Sequence, residues 1–472
     1  MAKAARTSEN TFDRSIVEGP IRSVVWKIAW PTMLQNVLGG LQGIVDHAMV
    51  GHFVGYTGNA AIGVAWQIFL VVIVFISSVF TGMGVLVARF AGARDPEKVN
   101  RTVYQAFLTA AVMSIVILAP LGYFLSPWLL GLVNAAPAVQ AEALEYLRIM
   151  FLFSFGMIVY FMIGGALRSA GDARTPLRLG VMLTALNITL NVILIPGWGP
   201  IPAFGTTGAA MGTVIAGGLM ALVYVYFLFS GKWVVSFRRG MSWRPDFKII
   251  RELFRFGIPT GLQGVAMNVG GVMLLAYIGS LPQSGEAQAA YVISYTQLFS
   301  LITWTSAGLL AATAAVSGQN LGAGRPERTI QAVHVASWIG LGVAATMGAL
   351  FLAIPRLLLG FFGVEDPLVV EMSIRLLSIL SVSGLFITVA LAYTGGLQGT
   401  GDTKSPFYIS LVSQIMIPIG ICAVLQATGR LEATYIWLAI LIGHVTRAVL
   451  SVVRFRQGKW RDIKVNIEPA TS

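Results

Sequence analysis

Apolar residues in this chain fall into twelve long runs separated by short polar connectors. The runs cover 24–50, 60–88, 103–125, 144–167, 177–196, 208–229, 252–279, 288–316, 330–353, 372–397, 407–427 and 433–455. An α-helix needs roughly 20 residues to cross a hydrocarbon core, and each run meets that length. The pattern predicts an all-α polytopic membrane protein with twelve transmembrane helices. Short connectors leave no room for a separate soluble domain.

The polar connectors repeat. Gly92–Ala93–Arg94–Asp95–Pro96–Glu97 returns as Gly322–Ala323–Gly324–Arg325–Pro326–Glu327, 230 residues later. Gly171–Asp172–Ala173–Arg174–Thr175–Pro176 returns as Gly401–Asp402–Thr403–Lys404–Ser405–Pro406, again at 230. Trp30–Pro31–Thr32 returns as Ile258–Pro259–Thr260, at 228. Each repeat holds six runs, so both halves enter the membrane from the same side. The expected arrangement is two six-helix lobes related by a pseudo-two-fold axis along the membrane normal. The divisions are an N-terminal tail 1–23, an N-lobe 24–229, a linker 230–251, a C-lobe 252–455 and a C-terminal tail 456–472.

Charge then sets orientation. Of the 32 Lys and Arg, 27 fall on the side of the two tails and the linker, against Arg148, Arg356, Arg375 and Arg430 on the other side; Arg447 lies inside the last run. By the positive-inside rule, the tails and linker are cytoplasmic, and the expected location is the inner (plasma) membrane. Attraction of these loops to anionic lipid accounts for the net charge of +12 without nucleic acid as a partner. Composition agrees: 56% of residues are hydrophobic and 11% charged, where a soluble domain has about 25% charged. That excludes a soluble globular or a disordered chain. The polar N-terminus lacks a signal-peptide core, so the first helix is expected to serve as its own insertion signal. A single cysteine, Cys422, excludes a disulfide framework and a Cys-rich metal site. No phosphate loop, H-E-x-x-H or Ser–His–Asp spacing is present, and the expectation is a protein that is not an enzyme and carries no cofactor.

Nearly all acids lie in connectors or at run ends; Asp46 alone lies well inside an apolar run. An Asp at a helix centre costs roughly 2.5–3.5 kcal/mol on insertion scales, so it marks a functional candidate. His47 is adjacent but on another face, and His47 and His52 read as structural or interfacial. Asn187 and Asn191 are four apart, on one helical face, and Thr213 follows in the next run. Carboxylate, amide and hydroxyl oxygens are what a hard cation prefers. Asp46, Asn187, Asn191 and Thr213 are therefore the candidate cation-binding and coupling residues, for H⁺ or Na⁺; a plain interhelical hydrogen-bond cluster is the competing reading. Their repeat mates are Leu274, Ile417, Ile421 and Gly443, so the polar cluster belongs to the N-lobe alone. Pro31 lies 15 residues before Asp46 and is a candidate hinge. Gln35, Gln67, Met157, Gln263, Met267, Asn268 and Tyr291 are candidate cavity residues, drawn from a chain rich in Met and aromatics.

These features together resemble the multidrug and toxic compound extrusion (MATE) transporters over essentially the whole chain. The resemblance rests on Pro31 followed by Val45–Asp46–His47–Ala48–Met49–Val50–Gly51, the two G-D-x-[RK]-[ST]-P loops, Asn187-x-x-x-Asn191, and Gly205–Thr206–Thr207–Gly208–Ala209–Ala210 leading into Thr213. It implies a two-lobed antiporter that expels organic, often cationic or amphipathic, small molecules in exchange for inward H⁺ or Na⁺, by alternating access and as a monomer in the bilayer. Asp46 matches the family's acid in the first helix. Asn191 is as in the NorM-like branch. Met267 or Asn268 stands where that branch has an acid in the seventh helix, which implies that its C-lobe cation site is absent. The alternative is a flippase for lipid-linked oligosaccharide or peptidoglycan precursors, of a related superfamily. Such proteins often hold pyrophosphate in cavities rich in Arg or Lys, and the runs here hold almost no cations.

Overall fold

The computed structural model describes residues 12–133, 136–237 and 241–465. Twelve long helical rods, α1–α12, form its body. In the N-terminal half these are α1 (Ile21–Phe53), α2 (Tyr56–Gly92), α3 (Pro96–Leu132), α4 (Pro137–Leu152 and Ser154–Ser169), α5 (Arg174–Leu194) and α6 (Gly205–Ser230). The C-terminal half holds α7 (Phe247–Gly279), α8 (Ser284–Gly322), α9 (Pro326–Ala353), α10 (Pro367–Thr400), α11 (Lys404–Ala427) and α12 (Ala433–Arg456). Among the described residues, nine rods are long and apolar enough to cross a membrane, and α4, bent by 54°, makes a tenth if its two parts form one span. The other two are α1 and α2. Large apolar side chains such as Phe124, Leu222 and Val424 stand exposed on the outer faces, as lipid contact requires.

The repeated motifs are helix-start devices. Asp95 caps α3 by accepting from the Lys98 amide at 3.0 Å, and Pro96 follows at the first helical position. Arg94 just before it has a φ of 59°, and its repeat mate Gly324 has 71°. Both occupy the left-handed conformation that ends the preceding helix. Asp172 accepts from the amides of Arg174 and Thr175 at 3.1 and 3.0 Å, and Asp402 from that of Ser405 at 3.2 Å.

Each half builds its own apolar core, one around Met83, Leu147, Phe151 and Tyr224, the other around Phe299, Leu377, Leu380 and Trp437. The halves meet where α2 packs on α7 and where α8 packs on α1 and α2. Glycines let the backbones touch there. A Cβ on Gly92 would sit 1.9 Å from the Gln319 carbonyl oxygen, and one on Gly322 would sit 2.1 Å from that of Arg89. These two contacts are repeat mates, so the pseudo-two-fold relation is visible in atomic detail at the basic end of the bundle. Both tails strap that end. Ile16 is buried, and Arg325 and Arg328 of the C-terminal half bond the carbonyls of Val17 and Gly19. In return Arg89 of α2 bonds the Ile463 carbonyl, and Trp460 is buried against Phe455.

The described part of the linker is tied down by α3. Gln105 donates to the Arg244 carbonyl at 2.9 Å and accepts from the Asp246 amide at 3.0 Å, while Arg101 pairs with Asp246. Asp246 caps α7, which starts five residues before the expected run at 252. Arg238, Arg239 and Gly240, counted in the linker, lie outside the described residues.

Candidate functional site

The inner faces of α1, α2, α4, α5 and α6 enclose a cavity of about 200 Å³ in the N-lobe. Helical spacing decides what reaches it. Gln35, Gln42 and Asp46 of α1 lie seven and four apart and share one face, and all three line the cavity. On α5, Thr184, Asn187 and Asn191 follow the same rule; Thr184 lines the wall and both asparagines are fully buried behind it.

The four expected coupling residues come together there. Asn191 Nδ2 donates to Asp46 Oδ1 at 2.7 Å and lies 3.4 Å from Asn187 Oδ1. Asn187 Nδ2 donates to Thr213 Oγ1 at 3.2 Å, and Thr213 donates to the Ala209 carbonyl at 3.0 Å. Asn191 Oδ1 is buried with no hydrogen-bond partner, and a Cβ on Gly212 would lie 2.1 Å from it. The absence of a side chain at Gly212 is what admits the Asn191 amide. Asp46 makes no ion pair among the described residues, and Tyr146, another wall residue, lies within electrostatic range of it. Carboxylate, two amide oxygens and a hydroxyl in one cluster, its asparagines buried and its Asp46 and Thr213 half-buried, make a donor set for a small hard cation.

Pro31 is the eleventh residue of α1, not its start. It removes the amide that would bond the Lys27 carbonyl. Around it, Thr32 Oγ1 bonds the Ile28 carbonyl at 2.7 Å and Asn36 Nδ2 bonds that of Thr32 at 2.9 Å, two side-chain bonds to helix carbonyls beside the missing one.

A second cavity of about 400 Å³ lies between the lobes and shares Trp66, Met157 and Phe161 with the first. Arg168 and Gln398, repeat mates at 230, both line it. Arg168 donates to Gln35 Oε1 at 3.1 Å. Hydropathy counts Arg168 with a connector; the structure places it within α4, on a cavity wall, so the spans are less bare of cations than expected.

The expected cavity residues divide. Gln35 and Met157 line the N-lobe cavity, and Met267 and Tyr291 line a smaller one in the C-lobe. Gln67 is exposed and lines neither large cavity; its neighbour Trp66 lines both. Gln263 is buried in helix packing, donating to Ser410 Oγ at 2.7 Å and accepting from Gln398 at 3.3 Å. Asn268 is exposed and bonds the Gly264 carbonyl at 3.0 Å. His47 bonds Asn59 and lines the N-lobe cavity, and His52 packs edge-on to Phe53. Gln42 and Thr184, bonded to each other at 3.0 Å, were missed, as were Tyr146, Trp66 and Arg168. The i, i+7, i+11 spacing of Gln35, Gln42 and Asp46 was the signal for Gln42.

The sequence profile of the MatE family matches residues 31–193 and 259–424, one copy in each half. The chain is 27% identical over 444 residues to a probable multidrug resistance protein NorM of Thermotoga maritima, covering 93% of both chains. It is 26% identical to multidrug resistance protein MdtK of Pectobacterium atrosepticum, covering 91% of this chain and 94% of that one. A solved structure described as the outward-facing conformation of a multidrug resistance MATE family transporter superposes with a TM-score of 0.87 at 20% identity, over 97% of this chain and 99% of that chain. A family profile matching both halves, on an all-helical two-lobed fold, shows that the chain belongs to the multidrug and toxic compound extrusion family of multi-pass membrane transporters.

Proposed function

We propose that this protein is a secondary active multidrug efflux antiporter that exports organic, often cationic or amphipathic, compounds in exchange for H⁺ or Na⁺ by alternating access. The observation that carries the reading is the Asp46–Asn191–Asn187–Thr213 chain, which sets a carboxylate without a cationic partner on the wall of an N-lobe cavity. Such a carboxylate holds either a proton or a cation, and its Asn191 partner changes role with its charge. Aromatic walls shared by the two cavities suit flat organic cations. Pro31 gives α1 a weak point between the basic end and Asp46, where a bend would couple the ion to the cavity. Both tails lie in the cytoplasm of an inner-membrane protein, and the monomer is the transporting unit. Of the described residues lining the inter-lobe cavity, Arg168 alone is charged; that disfavours a pyrophosphate-holding flippase.

The test is efflux from proteoliposomes with a pH gradient and a sodium gradient imposed separately. One gradient is expected to drive export, and Asp46→Asn to abolish it at unchanged expression and folding. Export by Asp46→Asn at the wild-type rate would overturn the assignment.

A further inference from the structure

The C-lobe contains a cavity at the place related by the repeat to the Asp46 cavity; none of the described residues lining it is charged, but the buried Arg447 of α12 lies within electrostatic range of its wall residue Tyr295. The cavity measures about 150 Å³ and is lined by Leu274, Tyr291, Tyr295, Gln414 and Ile440 among others. The repeat offsets map Gly39, Gly43 and Asp46 of the N-lobe wall onto Met267, Gly271 and Leu274 of this one, and Thr184 onto Gln414. The same offset of 230 maps Gly217, another N-lobe wall residue, onto Arg447. One lobe therefore has an acid on α1 and a glycine on α6; the other has a leucine on α7 and an arginine on α12.

Arg447 lies nine residues before the end of a 24-residue helix and is 2% exposed. Among the described residues its guanidinium has no hydrogen-bond or ion-pair partner, and its Nε is wholly buried. The buried acid on the same lobe, Asp402, is taken by Arg454 at 2.8 Å. Gln414 Nε2 is likewise buried without a partner and would lie 3.5 Å from a Cβ on Gly443, one turn before Arg447 on the same face of α12. Tyr295, a wall residue, is within electrostatic range of Arg447. Neither the Tyr291 nor the Tyr295 hydroxyl has a hydrogen-bond partner among the described residues; their rings stack on one another, and Tyr291 stacks on Trp437. His444, the remaining titratable group, is spent on Ser383 Oγ at 2.5 Å and stacks on Phe299.

A guanidinium left bare in the middle of a membrane protein is costly, and such charges are found paired. Each of these unpaired groups can donate: guanidinium N–H, amide N–H and two phenolic O–H. Donors around a desolvated positive charge recognise an anion. We propose that the C-lobe cavity is a binding site for one monovalent anion, held by Arg447 and Gln414 with Tyr291 and Tyr295 closing around it. The volume admits a chloride ion or the carboxylate of a small organic acid.

The test is thermal unfolding of the purified full-length protein in a sodium isethionate background. Chloride is titrated in at constant sodium and ionic strength, and benzoate in a parallel arm. A saturable rise in midpoint with chloride assigns the site to the inorganic ion; a rise with benzoate alone assigns it to a carboxylate. Arg447→Gln is expected to lose the rise, with apparent affinity weakened about tenfold or more. No anion dependence in the wild type, or equal dependence in Arg447→Gln, overturns the proposal. Should Arg447→Gln fail to fold, Gln414→Leu decides in its place: weaker binding supports the site and unchanged binding overturns it. The readout involves no transport, so its failure leaves the export reading standing.

Discussion

Gly212→Ala disturbs the Asp46 cluster without replacing any group in it. The added methyl would lie 2.1 Å from Asn191 Oδ1, where ordinary contact begins at 3.4 Å. The Asn191 amide must retreat by about 1.3 Å, because α6 at this point is packed and cannot give. A retreat of that size takes the 2.7 Å Asn191–Asp46 bond out of hydrogen-bonding range. That donor stabilises the ion-free carboxylate, and a hydrogen bond to a charged group contributes about 1.5–3 kcal/mol, so its loss is expected to tighten ion binding about tenfold to a hundredfold. Overpacking costs a further 1–3 kcal/mol or so of stability. The assay is ion-driven efflux in proteoliposomes as a function of the driving ion, read beside the unfolding midpoint. Gly218→Ala on the same helix is the control, since a Cβ there meets nothing within 4 Å. It is expected to behave as wild type, or to gain slightly from helix propensity. An unchanged ion dependence in Gly212→Ala, in a protein that still folds, would show that the Asn191–Asp46 bond does not set ion binding.

Two further outcomes follow from the repeat. Asp402→Ala is expected to cost about 2–3 kcal/mol, because it strands Arg454 and frees Ser405, whereas Asp172→Ala loses only a helix cap and costs about 1 kcal/mol; paired unfolding midpoints check the difference, and equal losses would refute it. Gly92→Ala combined with Gly322→Ala forces the lobes apart at the basic end. Labelling of Ser169→Cys by a thiol reagent added from that side should rise, against the low background of buried Cys422.

The architecture was readable because lipid imposes a crude requirement. Each rod has to present some twenty apolar residues, and hydropathy counts them well. The ends of the rods escaped that count. α7 begins at Phe247 because Asp246 caps it, and α2 begins at Tyr56, four residues before its apolar run. A polar cap leaves no trace in hydropathy. The straps escaped too: nothing in the short Ile16–Val17 pair announces that it is buried against Asn320 and Arg328, some 300 residues away.

The coupling cluster was readable for a different reason. A lone acid in an apolar run is costly enough to stand out, and the four-residue spacing of Asn187 and Asn191 fixes their common face. The cations inside the helices did not stand out in the same way, because hydropathy weighs a run without asking which way each residue faces. Arg168 sits at the end of its run and looks like a loop residue, yet its helix continues to Ser169 and turns it onto a cavity. Arg447 is diluted by the apolar residues around it. The repeat held the information needed to find it. The acid of the N-lobe, set against its mate, gives only a charge lost from the C-lobe at Leu274. The C-lobe cation Arg447 stands against Gly217 of the N-lobe, a charge gained. In a duplicated transporter, positions where one half has lost a charge and positions where it has gained one must be read together, since a cavity takes its sign from both.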